Sequence, residues 1–217
     1  MGALDNLRRG LYRRIIGQFG RPSGALGALA GFVMATRASN RRRNAWTVDL
    51  LEVQPDHQVL EIGYGPGLSI RRAAELATRG RVVGIDHSEV MRRQARRRNR
   101  RAVAAGRVEL LRGEVADLAD LAGPARFDRV LAVNVFMFWP GPVALLRRVA
   151  GVMAPGGRIA LTMQPRGPDA TDEHAREAGQ RMAAALGEAG FADVQVRTLE
   201  LQPVNAVCAL GTVAPLA

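Results

Sequence analysis

The chain contains no lysine, a single cysteine, three histidines and few aromatics: two Trp, two Tyr and six Phe. A lone Cys208 cannot close an internal disulfide or build a thiolate metal cluster, and His57, His87 and His174 share no ligand spacing. No metal site is expected. The longest apolar stretch near the N-terminus, Gly24 to Thr36, is well short of the roughly 20 residues a bilayer-spanning helix needs. Arg37 and the run Arg41, Arg42, Arg43 follow it, where a secretory signal would show a small-residue cleavage site. These absences predict a cytoplasmic protein with neither a disulfide nor a zinc scaffold.

What is present suffices for one core. The 217 residues are 47% hydrophobic and 24% charged, with apolar residues spread along the whole length, which excludes both a disordered chain and a membrane bundle. All 31 basic residues are arginine, and the net charge is +11. The excess is local: residues 1–48 hold nine Arg against Asp5 alone, and residues 92–101 hold seven Arg and no acid. The remainder is mildly acidic.

From residue 58 onward, short apolar runs alternate with helical patterns. Gln58 to Ile62, Val82 to Ile85, Val108 to Leu111 and Phe127 to Val133 read as strands, with helices at Leu68 to Ala77 and Ser88 to about Ala105. A helix from Pro142 to Met153 leads through the turn Ala154-Pro155-Gly156-Gly157 into a strand from Arg158 to Met163, and Asp169 to Gly190 reads as another helix. The runs Val194 to Leu201 and Ala206 to Val213 are joined by only Gln202-Pro203-Val204-Asn205, which permits only an antiparallel pair. The expectation is an α/β, doubly wound, seven-stranded and mostly parallel sheet with a terminal antiparallel hairpin. Residues 1–52 read as a helical N-terminal cap or lid of the same domain, interrupted at Gly20-Arg21-Pro22-Ser23-Gly24, and residues 53–217 as its core.

The first strand runs into Glu61-Ile62-Gly63-Tyr64-Gly65-Pro66-Gly67, directly before a helix. Glycines there permit a tight turn and a close approach of ligand to backbone, at the strand end where open α/β sheets bind ligands. Such a turn fits a dinucleotide or an adenosyl ligand. The dinucleotide spacing G-x-G-x-x-G would put a third glycine at position 68, which is Leu68. Two further acids, Asp86 after the second strand and Glu114 after the third, join Glu61 along the same edge. Such an edge repels a pyrophosphate and attracts a ligand bearing sulfonium and ammonium groups, and a carboxylate accepts hydrogen bonds from both hydroxyls of a ribose.

With these motifs in hand, together with Val83-Gly84-Ile85-Asp86, Gly113-Glu114-Val115, Phe127-Asp128-Arg129-Val130 to Asn134 and the late Ala154-Pro155-Gly156-Gly157-Arg158 turn, residues 58–213 resemble a class I S-adenosylmethionine-dependent methyltransferase of the Rossmann-like superfamily. The resemblance implies S-adenosylmethionine as cofactor and S-adenosylhomocysteine as product. It implies that Gly63, Tyr64, Gly65 and Gly67 line the methionine and ribose portion and that Asp86 holds the ribose hydroxyls. His87 lies nearby, Met91 packs on the adenine, Glu114 and Val115 read its edge, and Asn134 stands beside the sulfonium. Glu61 reaches the ammonium group or braces the loop.

Phe136, Met137, Phe138 and Trp139 crowd aromatics directly after Asn134 and look like the wall of an apolar or aromatic acceptor pocket, with Trp46 on the facing cap. The alternative is ordinary packing. The amide- and nucleobase-methylating branch shows Asn/Asp-Pro-Pro-aromatic here; Asn134-Val135-Phe136-Met137 does not. His174, with Asp172, is the candidate base. The run Arg92, Arg93, Arg96, Arg97, Arg98, Arg100, Arg101 covers the outer surface of one helix without interleaved stacking aromatics, so a solvated face is preferred to nucleic-acid contact. Leu7, Leu11, Ile15, Ile16, Phe19, Leu26, Leu29, Phe32 and Val33 among arginines fit either a lid or peripheral membrane contact. The expected partner is a small-molecule acceptor. A quinone or lipid acceptor at a membrane, and an adenosyl-binding protein or cyclase that transfers no methyl, are the alternatives.

Overall fold

The computed structural model describes residues 38–118 and 126–214. The helices and the amphipathic pattern expected before residue 38 lie outside them. A helix α1 (Ala38–Leu50) precedes seven strands: β1 (Gln58–Ile62), β2 (Arg81–Asp86), β3 (Val108–Arg112), β4 (Phe127–Val133), β5 (Met153–Met163), β6 (Ala192–Leu199) and β7 (Ala206–Thr212). Between them lie α2 (Leu68–Leu76), α3 (Glu89–Arg98), α4 (Arg100–Ala104), α5 (Pro142–Gly151) and α6 (Asp172–Glu188).

The sheet order is β3-β2-β1-β4-β5-β7-β6; every pairing is parallel except those of β7, which runs antiparallel to both β5 and β6. The short Gln202–Asn205 connection has the effect expected of it. Alternation along the buried strands sorts side chains to two layers. Leu60, Ile62, Val83, Ile85, Val130 and Ile159 face the side of α5 and α6, while Val59, Val82, Leu131, Val133 and Ala160 face Val48, Ile70 and Ala95 of α1, α2 and α3. β1 therefore lies at the centre with β2 and β4 on its flanks, and the chain reverses direction of travel across the sheet there. Crevices form at that point because the loops leaving β1 and β4 diverge.

Several boundaries differ from expectation, each for a local reason. The helix read from Ser88 to Ala105 is two helices. Asn99 is buried between them, and its amide nitrogen donates to the Gly67 carbonyl at 3.2 Å and the Ala95 carbonyl at 2.9 Å. α6 begins at Asp172 because Thr171 caps it, and α5 ends at Gly151, short of Met153. β5 starts at Met153: the Ala154–Gly157 turn is a bulge inside the strand, where the register with β4 shifts and Gly156 takes φ 73°. β6 spans Ala192–Leu199, two residues earlier than read. Cys208 is buried in β7, and burial pushes its thiol up to about 12, which keeps it from acting as a thiolate. No helix among the described residues is long and apolar enough to cross a membrane.

Candidate functional site

The glycine loop after β1 is built from left-handed backbone. Gly63, Gly65 and Gly67 have φ of 73°, 47° and 76°, and a β-carbon on Gly63 would meet Val135 Cγ1 at 2.4 Å. The Gly63 amide donates to the Ile85 carbonyl at 2.7 Å and the Gly67 amide to the Tyr64 carbonyl at 2.9 Å. A β-carbon on Gly65 would meet nothing within 4 Å, so this glycine faces open space.

Asp86, at the tip of β2, closes the loop from the other side. One carboxylate oxygen accepts from the Gly65 amide at 2.9 Å and the other from the Ser88 amide at 2.8 Å. The Gly113 amide in turn donates to the Asp86 carbonyl at 3.2 Å, which ties the end of β3 to the same point. Ser88 caps α3, accepting from the Met91 amide. The ends of β1, β2 and β3 are thus tied together at Asp86.

Burial raises the Asp86 carboxyl above its ordinary 3.8, opposed by the Ser88 and Gly65 amides and by His87, whose Nδ1 is 3.9 Å from Asp86 Oδ1. Glu61 is more extreme. It is 2% exposed, one carboxylate oxygen has no hydrogen-bond partner, and burial pushes it well above its ordinary 4.5; hydrogen bonding from Ser69 works against this and the nearby Asp86 adds to it. A carboxylate kept buried and half-satisfied costs stability, and a cationic ligand relieves that cost.

The sign of the pH effect follows. Between the ordinary carboxylate range and their raised values in the fold, Glu61 and Asp86 hold more protons folded than unfolded. Their stability contribution is present at low pH and is lost as pH rises through the raised values. Glu61→Gln, which removes the charge and keeps the shape, is expected to raise ligand-free stability at neutral pH and to flatten the fall of melting temperature as pH rises above the ordinary carboxylate range. Thermal melts of the two proteins above that range, showing no difference in slope, would contradict the assignment of the charge to Glu61.

Other expected site residues are placed variously. Asn134 follows β4 at φ 57°, and its Oδ1 accepts from the Gln164 amide at 2.8 Å, so its side chain is fixed at the β4–β5 edge. Glu114 is exposed and caps a short 3₁₀ turn, Val115–Asp117, with Asp117. The side chains of Tyr64 and Met91 are committed to the core: Tyr64 is 2% exposed and its hydroxyl donates to the Leu111 carbonyl, and Met91 is buried in the layer that holds α1, α2 and α3. His174 Nδ1 accepts from the Thr171 amide in a helix cap, and Asp172 accepts from the Asn205 amide.

The aromatic run divides. Phe136 and Trp139 pack on the α5–α6 layer with ring centroids 5.6 Å apart, while Met137 and Phe138 are 46% and 45% exposed. Trp46 packs on the opposite layer and does not join them.

In the arginine run Arg92 pairs with Glu89, and one member reaches the glycine loop. Arg98 is half-buried and donates to the Pro66 carbonyl of the glycine loop, while Arg93, Arg96, Arg97, Arg100 and Arg101 are exposed, the solvated face expected. Arg98→Ala is expected to loosen the loop and weaken an adenosyl ligand about 10-fold by calorimetry, the lower end of the about 1.5–3 kcal/mol of a hydrogen bond to a charged group. Arg97→Ala serves as the exposed control. A sequence-level reading also missed a buried polar face of α1. Asn40, Arg43 and Thr47 recur at helical spacing and are all buried. Thr47 hydrogen-bonds Thr162 at 2.8 Å, and Asn44 accepts from Ser69 at 2.6 Å.

Comparison with known proteins bears on this site. Residues 59–157 match the methyltransferase domain family. A protein of Bacillus subtilis (strain 168), the uncharacterized methyltransferase YdaC, is 33% identical over 182 residues that cover 83% of this chain and 96% of that one. A trans-aconitate 2-methyltransferase of Rhodopseudomonas palustris (strain BisA53) is 33% identical over 116 residues, covering 54% of this chain and 40% of that enzyme. Among solved structures, a SAM dependent methyltransferase from Aquifex aeolicus superposes with a TM-score of 0.62 at 18% identity, covering 82% of this chain and 94% of that one, a likeness of fold.

Proposed function

From the premise that this chain belongs to the class I S-adenosylmethionine-dependent methyltransferases, we propose that it transfers the cofactor's methyl to a small acceptor with an apolar or aromatic face. The observation that carries the site assignment is the pairing of Asp86 with the Gly65 amide where β1 and β2 end, beside a buried and half-satisfied Glu61. When bound, S-adenosylmethionine supplies a methyl already activated on sulfonium, and S-adenosylhomocysteine is the product. The protein's part is then to bind, orient and exclude water. Alignment of this kind supplies about 7 kcal/mol or more of a barrier.

In this proposal Gly63, Gly65 and Gly67 admit the ligand to the backbone, and Asp86 accepts from the ribose hydroxyls with His87 beside it. Glu61 offers its free oxygen to the ammonium group. Glu114 and the Val115 backbone read the adenine edge, with Tyr64 and Met91 supporting the loop and the adenine floor from the core. Asn134, held by Gln164, flanks the reacting centre. Met137 and Phe138 present exposed apolar surface directly after Asn134 and support the apolar acceptor; Phe136 and Trp139 hold them in place. Residues 53–217 form the methyltransferase core and residues 1–52 its cap, which carries Trp46. No acid–base role is assigned to His174, whose ring nitrogen is engaged in a helix cap. The relative acting on trans-aconitate adds small carboxylic acids as acceptors to try.

The test is a thermal shift with S-adenosylhomocysteine against NAD. At about 100 times its dissociation constant a ligand adds about 2.7 kcal/mol, which at this length raises the melting temperature by about 5–10 °C. A shift with NAD alone would overturn the proposal.

A further inference from the structure

A cavity of about 280 Å³ opens beside β3, the edge strand that pairs only with β2 among the described residues. None of the residues assigned to methyl transfer lines it. The helices leave it uncovered: α3 buries only Met91 and Ala95, and α4 buries no side chain, so the layer thins out before it reaches the edge of the sheet. The floor is apolar. It consists of Val103 of α4 with Val108 and Leu110 of β3, two positions apart and therefore on one face of the strand. Val108 is buried, whereas Val103 and Leu110 are partly covered, so apolar surface of the core continues into the cavity.

The rim is cationic. Arg92 and Arg96 stand one turn apart on α3, and Arg81 reaches in from the start of β2. Two of the three have acids. Arg92 pairs with Glu89 at 2.8 Å and Arg81 with Glu109 at 2.5 Å, both on the solvent-accessible surface, where such pairs are weak and exchange readily. Arg96 makes no hydrogen bond or ion pair among the described residues. Three guanidiniums thus meet two carboxylates, and one positive charge is left over an apolar floor.

That balance selects a ligand. A single negative charge neutralises the excess, and a planar oxyanion suits a guanidinium, which also stacks on the face of an arene. A doubly charged phosphate overshoots the charge and leaves the floor wet; an uncharged arene fills the floor and leaves Arg96 unmatched. The volume lies at the small end of ligand sites, which begin at about 300 Å³, and so limits the body to one or two rings. We infer that this cavity is a binding site for a small arene carboxylate, its ring on Val103 and Leu110 and its carboxylate on Arg96. The inference is independent of the methyltransferase reading, since no residue is shared between the two sites.

The experiment is calorimetry on the full chain with 2-naphthoate, 2-naphthamide and inorganic phosphate, each with and without S-adenosylhomocysteine. The unmodified chain is expected to bind 2-naphthoate at least about tenfold more tightly than either the amide or phosphate, with the same affinity when S-adenosylhomocysteine is present. Arg96→Glu, an exposed change that leaves melting unaltered, weakens 2-naphthoate about tenfold or more, the scale of a charged hydrogen bond. Arg97→Glu, the same change on the neighbouring residue outside the cavity, leaves it within about twofold. Absence of 2-naphthoate binding at about 1 mM overturns the assignment. So does an Arg96→Glu affinity equal to that of the unmodified chain, or equal losses in Arg96→Glu and Arg97→Glu, which would mean general attraction to a basic surface. Phosphate binding as tight as that of 2-naphthoate would remove the floor from the account, and competition by S-adenosylhomocysteine would move the carboxylate to the glycine-loop cleft; either result overturns it as well.

Discussion

Asp86→Ala lowers affinity for S-adenosylhomocysteine by about 30- to 1,000-fold, the range that corresponds to the loss of about 2–4 kcal/mol of charged hydrogen bonds to two hydroxyls. Two effects combine. The proposed ribose contact disappears, and the Gly65 and Ser88 amides lose the oxygens that hold the loop and the start of α3 in register. Asp86→Asn separates them. It retains an oxygen for one amide and so keeps more of the loop, yet loses the second acceptor and the charge, and should sit about tenfold below the unmodified protein. Calorimetric titration of both variants decides the matter; if Asp86→Ala binds as the unmodified chain does, the ribose is held elsewhere.

Gly67→Ala is expected to lose about 3 kcal/mol of stability, a fall of about 6–12 °C in melting temperature. Its φ of 76° is strained for any side chain, and its β-carbon would lie 2.7 Å from Asn99 Nδ2 and 2.8 Å from Ala95 Cβ, with the Ala95 backbone at 3.0 Å. The methyl cannot be absorbed by a flexible chain end, because the nearest atoms belong to a helix packed on the loop. Gly65→Ala makes the contrast. Its φ of 47° brings backbone strain but no neighbour lies within 4 Å, so it should cost only about 1 kcal/mol of stability while projecting a methyl where the ligand must come. The pair is checked by melting and by binding: Gly67→Ala should fail mainly in the first, Gly65→Ala mainly in the second. Equal melting losses would mean that strain alone governs the loop.

Much of this arrangement was legible in the residues themselves. The seven strands follow from apolar runs alternating with helical patterns, the antiparallel β7 from a connection too short to cross over, and the position of Asp86 at a strand tip from the run Val83-Gly84-Ile85 before it. What escaped the sequence depends on partners distant along the chain. Arg98 and Asn99 look like two more members of a basic helix until Pro66 and Gly67 are seen beneath them, about 30 residues earlier. Arg43 lies within an arginine triplet, and nothing local distinguishes the one member that turns inward. The aromatic run suits either a pocket wall or ordinary packing, and its four residues divide between the two: a 3₁₀ turn (Phe136–Phe138) sends Phe136 and Trp139 into a layer and Met137 and Phe138 out of it. Trp46 lies on the other layer, because its face of the sheet is fixed by how α1 docks, which no periodicity reveals.

Gln164 touches three separate parts of the chain: the tip of β4 through its backbone, α1 through its oxygen and the loop before β7 through its nitrogen. These three are thereby joined at one residue. The Val204 carbonyl and the arginine on α1 are thus two hydrogen bonds apart, so a substitution that shifts this carbonyl is expected to turn the Gln164 side chain and, with it, the acceptor on which Arg43 rests.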